Sequence, residues 1–439
     1  MSDRQQPSGG VDPAPADQVA AAPATPGPVP DREHREPPAK ESGVIRRILR
    51  RLLIPVLSVF TALVFGALII ILSDAELLAL WTSDPLAALG GSLGAAADAY
   101  GALFSGGLGS PQAYLDAFAS GDPAQITSAF KPVSESLLAA TPLIFAGLAV
   151  ALGFRSGLFN IGAEGQLHLG AILATWIGFS FVGLPFWIHL PLAVLGGFIG
   201  GALWGFIPGF LKARTGAHEV IVTIMLNYVA FRFLDWILRQ PFFQRPGRAD
   251  PVSAIVEPSA AIPVIIEGLR VNWGFMLALA AAAFVSWLLF RSTLGFEFRA
   301  VGLNPSAARY AGMNISRTLI VTMAICGGLA GLAGATEILG VTRTLMPGFS
   351  PGYGFDGIAI ALLGSSSPLG VVLAALLFGV LRAGATPMQA ATGIPIDLVV
   401  VIQALVIVFV AAPRLIREIY RIRVPETTGT EIMAQGWKA

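Results

Sequence analysis

Polar residues are sparse and clustered along this chain, and between the clusters lie apolar runs of about twenty residues, the length that crosses ~30 Å of hydrocarbon as a helix. Such runs are read at 52–72, 137–153, 161–183, 186–211, 220–238, 273–290, 318–340 and 394–412. A longer stretch, "GFDGIAIALLGSSSPLGVVLAALLFGVLRAG", is interrupted by Ser365 to Pro368 and is divided into a short span, 355–364, and a fuller one, 369–382. The pattern therefore predicts an all-α integral membrane protein with about ten transmembrane helices.

Charge orients the spans. "RRILRR" precedes the first run and "RLIREIYRIR" follows the last, which places both ends in the cytoplasm and requires an even number of crossings. "KAR" at Lys212 to Arg214 and the Arg291 to Arg317 loop then fall inside, and the acidic segment 73–136 falls outside. The 239–272 loop is an exception, with Arg239, Arg245, Arg248 and Arg270 on the outer side; its prolines and "PFFQRPG" predict a structured external cap. In 73–136 single acids such as Asp84 and Asp98 interrupt Ala, Leu and Gly patches, so its helices are expected to lie on the membrane face or over the outer mouth. "GLAVAL" at Gly147 to Leu152 recurs loosely as "GIAIAL" at Gly357 to Leu362, a duplication or a chance of composition.

Composition agrees: 439 residues, 54% hydrophobic and 13% charged, carry too few charges to clothe a water-soluble globule of this size. Three regions follow: a disordered cytoplasmic tail at 1–43, rich in Pro, Ala and charge without apolar period, a transmembrane body at 44–424, and a C-terminal cytoplasmic tail at 425–439. The first apolar run starts too late and lacks a small-residue cleavage site, so it reads as a span and not a signal peptide. A net charge of +1 gives no support for nucleic-acid binding.

Enzyme chemistry finds no foothold. The four lysines, Lys40, Lys131, Lys212 and Lys438, do not complete a phosphate-cradling GxxxxGK[ST] loop, so the chain has no ATPase site of its own. His168, His189 and His218 form no HExxH, and His34 lies in the tail. Cys326, the single cysteine, sits in an apolar run as a packing residue. No cofactor or metal is expected.

Two polar clusters remain. In "SGLFNIGAEGQ" Gly157, Gly162 and Gly165 allow an interrupted helix, while Asn160, Glu164 and Gln166 supply donors and acceptors at a depth where lipid penalises them. Such breaks near the midplane are where transporters often bind their cargo; equally, the same side chains could satisfy freed backbone groups and touch no substrate. Asn227 in the fifth span, and Glu337 and Asp356 flanking "MPGFSPGYG", are further candidates for the path; Arg232 and Asp235, at i and i+3, are expected to pair with each other. In the 291–317 loop Asn304 fits an N-cap, Pro305 the first helical position and Gly312 the C′ stop of a helix of about two turns. So short a helix is marginal alone in water and needs support from span ends or a partner.

The loop "GFEFRAVGLNPSAARYAGMN" resembles the coupling loop of ABC importer permeases of the branched-chain amino acid, simple sugar and nucleoside group. "FNIGAEGQ" is similar to the FNIGxEGQ form of the nucleoside subgroup, and "TGAHEVIVTIMLNY" and "SPGYGFDGIAIALLG" match it further. Ala163 and His168 stand where variable or apolar residues are expected. The resemblance covers about 85–413. It implies a polytopic ABC importer permease in the plasma membrane carrying nucleosides, with a ribose-type sugar permease as the alternative and a non-transporting scaffold as the reading from another class. Its implied partners are an ABC ATPase docking on Arg299, Gly302, Asn304, Pro305, Ala308 and Gly312, a second permease, and an extracytoplasmic substrate-binding lipoprotein.

Overall fold

The computed structural model describes residues 44–421, with side chains described outside 44–52 and 75–77. The tails expected at 1–43 and 425–439 lie outside the described residues. The chain divides into Met1–Leu49, of which only the first turns of a helix are described, and Arg50–Ala439, which holds everything below.

Proline and short polar side chains set many of the helix starts. After α1 (Val44–Ser73) and α2 (Ala75–Ser83) come α3 (Pro85–Leu108), α4 (Pro111–Ser120) and α5 (Pro123–Ala129). Each of these three has Pro at its first position behind a capping Asp84, Ser110 or Asp122 whose side chain accepts first-turn N–H groups. The membrane helices follow as α6 (Lys131–Arg155), α7 (Ala163–Ser180), α8 (Phe186–Thr215), α9 (Glu219–Ile237) and α10 (Trp273–Arg291). Two short helices, α11 (Thr293–Leu303) and α12 (Pro305–Tyr310), lead to α13 (Ile315–Glu337), extended by a π turn at Ile338–Thr342. The chain closes through α14 (Tyr353–Leu363), α15 (Pro368–Thr392), α16 (Asp397–Ala411) and α17 (Pro413–Ile419).

Among the described residues seven helices, α1, α6, α8, α9, α10, α13 and α15, are long and apolar enough to cross a membrane; α16 and α17, bent by 90°, make an eighth if taken as one. Two of the ten expected spans fall short of that standard. α7 lies where expected but carries Glu164, Gln166 and His168 in its first two turns, and α14 is only 11 residues long. α15 is longer than its expected 369–382, because Arg382 is paired inside the protein and the helix runs on to Thr392 against α3. The expected division of that stretch is present, with backbone of positive φ at Ser365 and Ser366 turning α14 into α15.

α6 is the central helix, buried at every position from Ala140 to Gly153. Around it the closest pair is α8 with α13. A Cβ at Gly201 would overlap the carbonyl oxygen of Gly327, and one at Gly331 that of Gly197, so the two backbones touch along a face of small residues. The 24-residue α3 is as long as a span without being among the seven; it packs Ala99 and Leu103 against Leu381, Ala385 and Met388 of α15, and Tyr100 donates to the Leu63 carbonyl of α1 at 2.5 Å. The 239–272 segment is ordered by backbone bonds to the loop after α13: Ser253 to Leu345 at 2.9 Å and Val256 to Arg343 at 3.0 Å. Arg248 and Asp250, both about half exposed, pair there at 2.7 Å, and the guanidinium hydrogen bond holds the Asp250 carboxyl below its usual range.

Candidate functional site at the break between α6 and α7

Helix α6 stops at Arg155, and 156–162 cross the interior without helical structure. Gly157 takes φ +70°, and the Gly153 carbonyl accepts both the Ser156 and Leu158 N–H groups at 2.9 Å, which closes the helix. A break inside a membrane protein strands backbone donors and acceptors that lipid cannot satisfy. Three amides meet that need. Asn160 Oδ1 accepts the Gly162 N–H at 3.1 Å, and Asn160 and Gln166 exchange two side-chain bonds at 2.8 and 3.1 Å. From α9, Asn227 accepts the Gly165 N–H at 2.8 Å and donates to the Ile161 carbonyl at 2.9 Å. All three amide side chains are buried.

Glu164 reaches out of this frame. Its Oε2 accepts the Gly354 N–H at 2.6 Å and so caps α14, whose own N-cap residue, Gly352, offers no side chain. The starts of two broken helices thereby meet at one carboxyl group. Ser350 adds its hydroxyl to the Gly352 and Tyr353 N–H groups at 3.3 Å each. One turn further along α7, the His168 ring lies edge-on between Phe231 and Phe349, 4.9 Å from each, with Nδ1 2.8 Å from the Glu164 carbonyl oxygen. Because a carbonyl only accepts, Nδ1 carries the proton there.

A cleft of about 290 Å³ opens beside these groups, with Glu164, His168, Phe231, Asp235, Ser350 and Phe355 in its wall. That is near the lower end of the ~300–1,000 Å³ range of small-molecule sites. Of the six residues expected along the path, Glu164 lines this cleft and the other five do not. Asn160, Gln166 and Asn227 are spent on backbone and on each other. Asp356 pairs with Arg382 at 2.5 Å, Arg382 lies 4.8 Å over the Tyr353 ring, and Tyr353 hydrogen-bonds Glu337. Arg232 and Asp235 pair at 3.3 Å as their spacing predicts, with Asp235 also in the cleft wall. His168, Phe231, Ser350 and Phe355 were missed as lining residues, since nothing local separates a cleft aromatic from a packing one; Arg382, a lone charge amid apolar neighbours, was a signal available in the sequence.

The 291–317 loop folds as the two helices α11 and α12. Asn304 caps α12 through an Ala307 N–H bond of 3.0 Å, Pro305 starts it, and Gly312 follows it at φ +82°, as the spacing predicts. Ala308 is buried, and Arg299 lies 5.5 Å from the Phe290 ring. Gly302 presses on the start of the break: a Cβ there would come within 2.7 Å of the Arg155 carbonyl oxygen and the Gly157 nitrogen. The outer face shows Phe296 at 56%, Leu303 at 65% and Tyr310 at 96% exposure, unusual apolar display for a loop between two spans.

Comparison with known proteins supplies the lineage. The family model described as branched-chain amino acid transport system / permease component matches residues 133–411. The guanosine ABC transporter permease protein NupP of Bacillus subtilis is 40% identical over 372 residues, 84% of this chain and 95% of its own length. The nucleoside ABC transporter permease protein NupB of Lactococcus lactis is 38% identical, covering 64% of this chain and 79% of its own length. The glucose ABC transporter permease protein TsgB13 of Haloferax volcanii is 38% identical, over 68% of this chain and 80% of its own. No solved structure matches. The matched span takes in the α6–α7 break, the cleft and the α11–α12 loop together, and the chain belongs to the branched-chain amino acid transport system / permease component family.

Proposed function

We propose that the chain is the membrane permease of an ABC importer for nucleosides. The observation that carries this is the identity of 38–40% to permeases named for guanosine and for nucleosides, together with the "FNIGAEGQ" segment built into the α6–α7 break. Glu164, His168 and Asp235 offer acceptors, and Phe231 and Phe355 offer aromatic faces, which suits the hydroxyls and flat base of an uncharged nucleoside. Asn160, Gln166 and Asn227 hold the broken backbone in shape beside that path, and Glu337 and Asp356 fix the start of α14 through Tyr353 and Arg382.

Energy enters from a separate ATPase docking on α11 and α12. Gly302 transmits its movement to Arg155 and Gly157, where the break begins. The same reading places 1–43, 291–317 and 425–439 in the cytoplasm and 73–136 outside. It also pairs the chain with a second permease and an extracytoplasmic binding lipoprotein. The glucose-named relative supports a simple-sugar permease as the second reading, because a hexose is likewise neutral and rich in hydroxyls. ATP-dependent uptake by proteoliposomes, with and without the ATPase subunit, separates transport from scaffolding: uptake that appears only with ATPase and ATP supports the proposal, and its absence from an intact complex refutes it.

A further inference from the structure

A second cavity, of about 560 Å³, opens where the last turn of α8 meets the first turn of α13. Arg214, Asn314, Ser316 and Arg317 form its polar rim, and Ile320 and Val321 its apolar floor. The basic side chains nearby are not equivalent. Lys212 is held by Glu219 at 2.5 Å, whereas Arg214 and Arg317 are exposed and meet no carboxylate among the described residues. Arg214 lies 5.9 Å from the Phe210 ring. Phe210 stacks on Phe206, and with Leu203 and Ile199 they extend an exposed apolar face along α8.

We infer that this cavity binds the headgroup of an anionic phospholipid. Two uncompensated guanidinium groups over an apolar floor, at the end of two spanning helices, match a phosphate diester attached to acyl chains. Guanidinium groups bind phosphate oxygens through charge-assisted bonds. Basic pockets between membrane helices on the cytoplasmic side take anionic headgroups, and each Lys or Arg near such a surface contributes ~1 kcal/mol, a factor of about five in affinity. A free inorganic anion would use the rim and leave the floor of Ile320 and Val321 open. Arg214 and Arg317 take the phosphate, and the chains lie over Val321 and Phe210. The inference rests on the proposed cytoplasmic placement of this end, and a symmetric bilayer keeps the two separable, since both leaflets then present the same lipid.

The test uses the intact complex in nanodiscs of phosphatidylcholine alone or with phosphatidylglycerol, with lipid retention followed by native mass spectrometry. The wild type should retain phosphatidylglycerol over phosphatidylcholine. Arg214→Gln and Arg317→Gln should each lower that preference about five-fold and the pair together roughly thirty-fold, while Arg214→Lys with Arg317→Lys keeps most of it. Equal retention by the Gln pair overturns the inference, as does displacement of the lipid by inorganic phosphate, which would mark a free-anion site. Unchanged lipid retention with loss of the ATPase subunit from the Gln pair would also overturn it, making the rim a protein-docking face.

Discussion

Replacing Asn160 by alanine separates a framework role from a path-lining one. The side chain makes three hydrogen bonds, two with Gln166 and one with the Gly162 N–H, and all are buried. Bonds of this kind in membrane proteins average ~0.6 kcal/mol, and a buried group left without a partner costs ~1–3 kcal/mol, so Asn160→Ala should destabilise by roughly 2 to 5 kcal/mol. Because the two amides satisfy each other, Gln166→Ala should add little to Asn160→Ala, with a coupling energy of about 1 to 2 kcal/mol in the double-mutant cycle. Thermal unfolding of detergent-solubilised protein by fluorescence-detected size exclusion measures both quantities. Transport per folded molecule should fall less than folded yield. A variant with wild-type unfolding temperature and abolished uptake would refute the framework assignment and return Asn160 to the path.

Glu164→Gln keeps an oxygen to accept the Gly354 N–H, so α14 should stay capped and the unfolding temperature should move little, while uptake drops at least several-fold; full uptake would mean that the carboxylate only packs. Gly302→Trp has no room beside Arg155 and Gly157, and it should uncouple the complex, leaving insertion intact but ending substrate-stimulated ATP hydrolysis; retained stimulation would show that α11 does not transmit. In a Cys326→Ser background, cysteine at the exposed Ser365 should label from the cytoplasm and cysteine at Val182 from outside. Labelling of both from one side would overturn the proposed orientation.

Apolar period and turn chemistry made most of the helices legible. Apolar helices occupy all ten expected segments, and the Asn304, Pro305 and Gly312 frame of α12 is present in detail because each signal is local. The number of full spans was harder to read. α14 is a half-length helix whose start is capped by Glu164 from 190 residues away, and no local pattern announces such a cap. In "FNIGAEGQ" the polar residues were legible as a break, but their division of labour was not. Asn160 and Gln166 turn towards one another while Glu164 turns to α14 and the cleft, which depends on packing partners in α9 and the loop after α13. His168 stood out only as an unexpected residue, and its neighbours Phe231 and Phe349 are far from it in sequence.

The identity of the cargo is the central claim, and competition for uptake addresses it most directly. Proteoliposomes holding the chain with its proposed second permease, ATPase and binding protein would be loaded with ATP and offered labelled guanosine against unlabelled guanosine, adenosine, uridine, ribose and glucose. The account predicts that one or more nucleosides suppress labelled uptake at concentrations where ribose and glucose have no effect. Labelled glucose or ribose accumulating in its place, unaffected by any nucleoside, would contradict it.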